Sequence, residues 1–247
     1  MEKIQIESVT LYHADCLDVL PLLSVDHIIS DPPYEDELHA VMETMRRNDS
    51  GPEGGALDFE GINKIRKSAA RVCVSSCSKW LLLFCMAEGV RAWRDDIQDA
   101  GGKWDIPLVW LKADSVPRMN GTGPTRGFDC IATAWCGKER RKWNGGGKRG
   151  VFNYNSHLEE KKIHPTEKPL PLMLELVKLY TNPGDVVCDP FMGSGTTGVA
   201  CVSLERKFIG IEKKKEYFDR ACTRLTNLQK ARGNIPVSGE NESGFLF

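Results

Sequence analysis

The sequence has no uninterrupted apolar stretch longer than the eight residues Trp80–Ala87, far short of the ~18 that a membrane-spanning helix needs. It has almost no net charge: 33 Lys and Arg stand against 34 Asp and Glu, giving −1. Global basicity is therefore excluded, and a nucleic-acid partner has to be met by a local patch. There is no Cys-x-x-Cys pair. The nine cysteines, an odd number, are scattered from Cys16 to Cys222. No second Cys or His pair at ligand spacing joins Cys73 and Cys77 to complete a zinc site. Reduced, mostly buried thiols in a cytoplasmic protein, with no metal, are expected. The opening Met1–Glu7 carries acids and no apolar core, so no secretory leader is expected there. No Gly-Lys-Ser/Thr follows any glycine loop, which removes the main support for kinase or ATPase chemistry.

What is present is a globular composition, 41% apolar with 23 glycines in 247 residues, compatible with one large α/β domain. Apolar runs at 11–15, 26–30, 81–85, 106–111, 130–136, 185–188 and 207–211 read as strands. Helical spacing appears over 60–71, 87–100, 169–180, 196–204 and in the stretch carrying Tyr217, Phe218, Ala221, Leu225 and Leu228. Short strands alternating with helices predict a doubly wound, mostly parallel sheet. Residues 1–232 are expected to form one domain and 233–247 a flexible tail.

Two sites carry chemistry. Asp189-Pro-Phe-Met-Gly-Ser-Gly-Thr-Thr197 follows a strand and opens a helix. Glycines there let a ligand approach the backbone, and the helix start offers free N–H groups. Glu212 ends the next strand, where a carboxylate can accept from two ribose hydroxyls. A nucleoside-containing cofactor follows, with nicotinamide and flavin cofactors still open. Asp31-Pro-Pro-Tyr34 sits at another strand end. Its carboxylate and the Pro32 carbonyl can bind both hydrogens of an exocyclic base amine as that amine attacks an electrophile. The Tyr34 ring offers a stacking face for a base taken out of the duplex.

Together with His164-Pro-Thr-Glu-Lys-Pro169 and Gly210-Ile-Glu212, these motifs closely resemble the amino-methylating DNA methyltransferases that use S-adenosylmethionine, in the permuted order called the beta group. The resemblance implies a seven-stranded Rossmann-like methyltransferase sheet and a reaction that needs no metal. It assigns catalysis to Asp31, Pro32, Pro33 and Tyr34. It assigns the cofactor to Asp189, Phe191, Gly193 and Gly195 around the methionine part, Glu212 on the ribose, and Thr166 and Lys168 near the methionine carboxylate. Asp15 would contact the cofactor adenine, and His164 would be a structural cap. Asp at the first motif position accompanies adenine N6 in this family, whereas Ser accompanies cytosine N4. The expected activity is therefore adenine-N6 methylation of double-stranded DNA after base flipping, in a restriction–modification setting. Cytosine N4 is the alternative, and a catalytically silent nucleic-acid-binding module a more distant one.

A DNA contact is expected in the short segment 138–163. Lys138, Arg140, Arg141, Lys142, Lys148 and Arg149 stand there against Glu139 over 138–149, six cations less one acid, net +5, with Trp143 among them. So short a segment implies site-specific or only weakly specific recognition. A homodimer is a further candidate assembly. The terminal Phe245-Leu246-Phe247 is similar to peptides that bind bacterial sliding clamps.

Overall fold

The computed structural model describes residues 1–33, 61–117, 121, 123–156 and 167–233. In chain order the strands are β1 Glu2–Ile6, β2 Val9–His13, β3 His27–Ser30, β4 Trp80–Cys85, β5 Lys103–Trp104, β6 Leu108–Leu111, β7 Phe128–Trp135, β8 Val151–Asn153, β9 Val186–Asp189 and β10 Lys207–Glu212. The α-helices are α1 Cys16–Val19, α2 Arg66–Ser76, α3 Val90–Asp99, α4 Leu170–Tyr180, α5 Thr196–Ser203 and α6 Lys215–Gly233. The ten strands form one sheet in the order β1-β2-β10-β9-β3-β4-β7-β6-β8, with β5 paired to β7. From β2 to β4 every pairing is parallel. Antiparallel β7 lies between β4 and β6.

The expected doubly wound sheet is present, with ten strands among the described residues where seven were expected. The additions are edge pieces. β1 forms a hairpin with β2, and its exposed alternating pattern carries no buried residue. β5 and β8 are two and three residues long, too short to show a period.

Helices cover both faces because β4 is apolar throughout. Leu82 and Phe84 face one cluster with Ile29, Val187 and Phe208, closed by Leu172, Leu176, Val199, Phe218 and Leu225 of α4, α5 and α6. Leu81 and Leu83 face the other with Ile28, Cys188 and Ile211, closed by Val19, Ala70, Cys73, Trp93 and Ile97 of α1, α2 and α3. Successive side chains of a strand point to opposite faces, so a continuous apolar run requires a layer on each. Full burial stabilises by roughly 1.5–3 kcal/mol per large side chain. Seven of the nine thiols are buried and all nine are free, as their scatter suggested.

At the amino edge of the parallel strands a closed polar network ties β3, β4 and β9 together. Lys79 Nζ lies 3.0 Å from Asp26 Oδ1 and 2.8 Å from Asp185 Oδ1. His27 Nε2 lies 3.1 Å from Asp185 Oδ2, and the Trp80 N–H donates to His27 Nδ1 at 3.4 Å. Burial pushes the His27 imidazole down to about 4. The ring is thus neutral at pH 7, with its proton on Nε2 and donated to Asp185.

The packing of α5 on β10 is tight at Gly198, where an added Cβ would stand 2.7 Å from Phe208 Cε1 and 3.0 Å from Leu225 Cδ1. Alanine improves helix propensity by roughly 1 kcal/mol, but the ring it meets is fully buried. Gly198→Ala is expected to destabilise by about 1–3 kcal/mol net, read as a lowered urea midpoint with unchanged slope.

Candidate active site

Three strand ends converge at the carboxyl edge of the parallel sheet. β3 delivers Asp31, β9 delivers Asp189 and β10 delivers Glu212. Asp189 lies underneath the glycine loop. Its Oδ1 accepts from Ser30 Oγ at 2.6 Å and Phe191 N at 3.1 Å, and its Oδ2 accepts from Thr197 Oγ1 at 2.6 Å. Burial pushes this carboxyl up to about 6. The sequence reading placed Asp189 against the cofactor. The structure gives its carboxylate the task of holding the loop, the α5 start and β3 together. Ser30, which no sequence motif included, is the partner that makes this link.

The loop above it turns at Gly193 (φ 51°) and Gly195 (φ 82°), conformations that side chains other than glycine rarely adopt. Nothing lies within 4 Å of an added Cβ at Gly193, so the loop faces open space there. Gly193 N donates to Glu212 Oε2 at 3.0 Å and Lys214 N to Glu212 Oε1 at 2.7 Å. A carboxylate accepts about four hydrogen bonds, so Glu212 retains acceptor capacity beyond fixing the loop. Burial raises its ionisation range. Asp15 caps α1, with Oδ1 accepting from Leu17 N at 3.0 Å, and its Oδ2 pairs with Lys213 Nζ at 3.0 Å. It stands beside Glu212, since Ala14 N donates to Glu212 O at 3.1 Å.

Asp31 presents two unlike oxygens. Oδ2 pairs with Lys168 Nζ at 2.6 Å. Oδ1 is buried and has no hydrogen-bond partner among the described residues. Burial raises the Asp31 carboxyl, Lys168 opposes the rise, and Asp129 reinforces it. The Lys168 ammonium, 6% exposed, lies 5.1 Å from the Phe84 ring centroid and 5.8 Å from that of Trp110. The sequence reading placed Lys168 near the cofactor carboxylate, and the structure places it on Asp31. Tyr34, His164 and Thr166 lie outside the described residues, as do 234–247 with the clamp-like terminus.

A buried acceptor with no partner among the described residues, beside a glycine cradle and a strand-end acid, is an arrangement that suits an amine and a nucleoside-containing ligand. A family model described as DNA methylase, of the N6 and N4 type, matches residues 25–223. The chain belongs to this family. Among curated proteins it is similar to the type II methyltransferase M.HinfI of Haemophilus influenzae, 26% identical over 92% of this chain and 71% of that protein. It is also similar to the type II methyltransferase M2.LlaDCHI of Lactococcus lactis subsp. cremoris, 26% identical over 89% and 90%. Among solved structures, the M1.HpyAVI–SAM complex is 30% identical with a TM-score of 0.64, covering 88% of this chain and all of that one. The PvuII cytosine-N4-specific DNA methyltransferase, at 16% identity and a TM-score of 0.67 over 90% and 91%, shares the fold.

In this DNA methylase the Lys138–Trp143 part of the basic segment lies at the amino edge of the sheet. Trp80 of β4 pairs with Trp135 of β7, and Cys85 with Cys130. Five residue steps at ~3.3 Å put about 17 Å between the two edges. Lys138–Trp143 is fastened to the amino edge: Trp135 Nε1 donates to Glu139 O at 2.9 Å, and Trp80 Nε1 donates to Lys142 O. Arg141 pairs with Asp105 at 2.7 Å. Trp143 packs edge-on against Tyr180, with centroids 5.0 Å apart, and its N–H is taken by Gly146 O. It is not free to stack on a base. Lys148 is held by Glu175, and exposed Arg149 leads into β8. Lys138, Arg140, Arg141, Lys142 and Trp143, expected to contact DNA, are thus held at the amino edge by Trp80 and Trp135, contacts invisible in the sequence. Besides Lys168 and Lys213, the carboxyl edge carries Lys112, 2.7 Å from Asp129, and Arg126, 2.7 Å from Glu88. Among the described residues no group of three or more His, Cys, Asp or Glu could hold a metal ion, and no helix is long and apolar enough to cross a membrane.

The Asp189 assignment has a pH signature. A carboxyl raised in the folded state contributes stability that is present below its unfolded value and lost as pH rises through about 6. Asp189→Asn keeps the shape and removes this titration. Relative to the variant, the wild type is expected to lose about 1–3 kcal/mol between pH 4.5 and 7, measured by urea unfolding of both at each pH.

Proposed function

We propose that the protein methylates adenine at N6 in DNA, holding the flipped base with its amine against Asp31. The observation that carries this reading is the buried Asp31 Oδ1 at the end of β3, which has no hydrogen-bond partner among the described residues. S-adenosylmethionine is the cofactor; when bound, it supplies a methyl group on a sulfonium, already a good leaving group. The chain's own residues supply position and electrostatics. Gly193 and Gly195 would let the cofactor lie close to the loop backbone, and Glu212 would accept from its ribose hydroxyls. Asp31 Oδ1 and the Pro32 carbonyl accept the two amine hydrogens. Their pull would favour the pyramidal amine and turn its lone pair toward the methyl group that the bound cofactor would supply, with Asp31 placed to take the proton that the methylated nitrogen gives up. Ionised, Asp31 presents acceptors alone, so protonation of this raised carboxyl, which adds an O–H donor, sets an acid limit on activity. The Asp at the first motif position favours adenine over cytosine. DNA contacts are proposed at the carboxyl end, where Lys112 and Arg126 stand, with Lys148 and Arg149 further out along the β8 edge.

Transfer of labelled methyl groups to DNA, followed by nucleoside analysis, tests the reading. N6-methyladenine is expected; N4-methylcytosine would overturn the base assignment. Asp31→Asn retains a carbonyl for Lys168 but can turn a donor toward the amine. It should lower methyl transfer by about 10²–10³-fold, with cofactor affinity nearly unchanged by calorimetry. Glu212→Ala should do the reverse, weakening cofactor binding by about 1–3 kcal/mol; an unchanged affinity would remove Glu212 from the ribose site.

A further inference from the structure

Residues 167 and 168 send adjacent side chains in opposite directions. Lys168 precedes Pro169, which disfavours helical backbone at 168 and leaves the stretch outside α4. Glu167 reaches the cofactor side: its Oε1 accepts from Thr196 Oγ1 at 2.8 Å and from Arg224 Nη1. The same Arg224 nitrogen also lies 3.4 Å from Ser194 O of the glycine loop. Lys168 reaches the catalytic side and Asp31 Oδ2. One dipeptide thus joins the start of α5, α6 and the glycine loop to the acid at the end of β3.

We infer that Lys168 is a positioning residue for methyl transfer, keeping Asp31 a carboxylate with Oδ1 turned to the substrate amine, while Glu167 anchors the lysine to the cofactor loop. The inference rests on the amine-methylating reading of Asp31. Its geometric basis is a division of labour between two oxygens: the lysine occupies Oδ2, and Oδ1 has no partner among the described residues. The charged groups facing Asp31 are Lys168 from the α4 approach, Asp129 from β7, Lys112 from the end of β6 and Asp189 from β9. Lys112 is already engaged by Asp129 and lies 4.7 Å from the Trp110 ring centroid. Asp189 is engaged by two hydroxyls and an N–H. Without Lys168, Asp31 would keep its burial and two neighbouring acids, with a cation shared elsewhere. It would hold its proton to higher pH, and a protonated carboxyl can turn an O–H donor toward the amine where an acceptor is needed. Enclosure of the ammonium by Asp31, Phe84 and Trp110 also argues against a lysine reserved for a cofactor carboxylate.

The test compares the wild type with Lys168→Met and Lys168→Arg in single-turnover methyl transfer across pH, alongside calorimetry with S-adenosylmethionine. Lys168→Met should move the acid limb of the rate profile up by at least about one pH unit, with cofactor affinity changed less than about threefold. Lys168→Arg should restore the limb. A normal limb in Lys168→Met together with a cofactor affinity lowered by about tenfold or more would overturn the inference and return Lys168 to the cofactor. A ¹³C-carboxyl titration of Asp31, assigned with Asp31→Asn, needs no turnover. An upward shift in Lys168→Met supports the pairing, and an unmoved titration sinks it even if DNA methylation itself is not found. Lys168→Gln, which keeps a donor without the charge, replaces Lys168→Met in both measurements if the methionine variant does not fold.

Discussion

The Asp189 carboxylate is the point on which the two halves of the site hang. Ser30 and Thr197 donate their hydroxyls to its two oxygens, and Phe191 N adds a third donor. Ser30 is the residue before Asp31, and Thr197 is in the first turn of the helix behind the glycine loop. The spacing between base-amine acceptor and cofactor cradle is therefore set by buried hydrogen bonds between adjacent strands. Loops alone would hold it less precisely, and methyl transfer tolerates little misplacement. Burial makes the ionised form expensive, and the three donors offset much of that cost.

The two edges of the sheet carry similar residues and opposite outcomes. At the amino edge, Asp26, His27, Lys79 and Asp185 close a network in which each named group has a partner. At the carboxyl edge, Asp31, Lys168, Asp129 and Lys112 form two ion pairs, yet one oxygen of Asp31 is left over. A satisfied buried network rigidifies, whereas an unsatisfied member stores a binding capability. That difference separates scaffold from site more sharply than residue type does.

Much of this was legible in the sequence. Asp31-Pro-Pro-Tyr34 and the glycine loop announce strand ends, because proline and glycine stop a strand in known ways, and Glu212 follows at the right remove. The apolar runs marked the central strands to within a few residues. Ser30 was not legible as a site residue, since its role depends on β9 lying beside β3, a pairing across most of the chain. Lys168 was read by its motif, but its direction depends on alternation within an extended stretch. The position of the basic segment was not legible, because net charge says nothing about which edge of the sheet a loop occupies; Trp80, Trp135 and Tyr180 decide that. β1, β5 and β8 escaped notice because edge strands owe their conformation to a neighbour's free N–H and C=O groups more than to their own side chains.

The permuted order of the motifs has a consequence for synthesis. The catalytic strand is made early, yet its neighbour in the sheet arrives with Val186, and Ser30 meets Asp189 only across 159 positions of chain. On the ribosome, β3 can pair with β4 soon after Cys85 emerges, but its other edge stays open until β9 is translated about 100 residues later. Non-local parallel pairing is slow and exposes strand edges while it waits. The methyl-transferring geometry therefore comes into being last and all at once, so a nascent chain holds the acid long before it holds a place to use it.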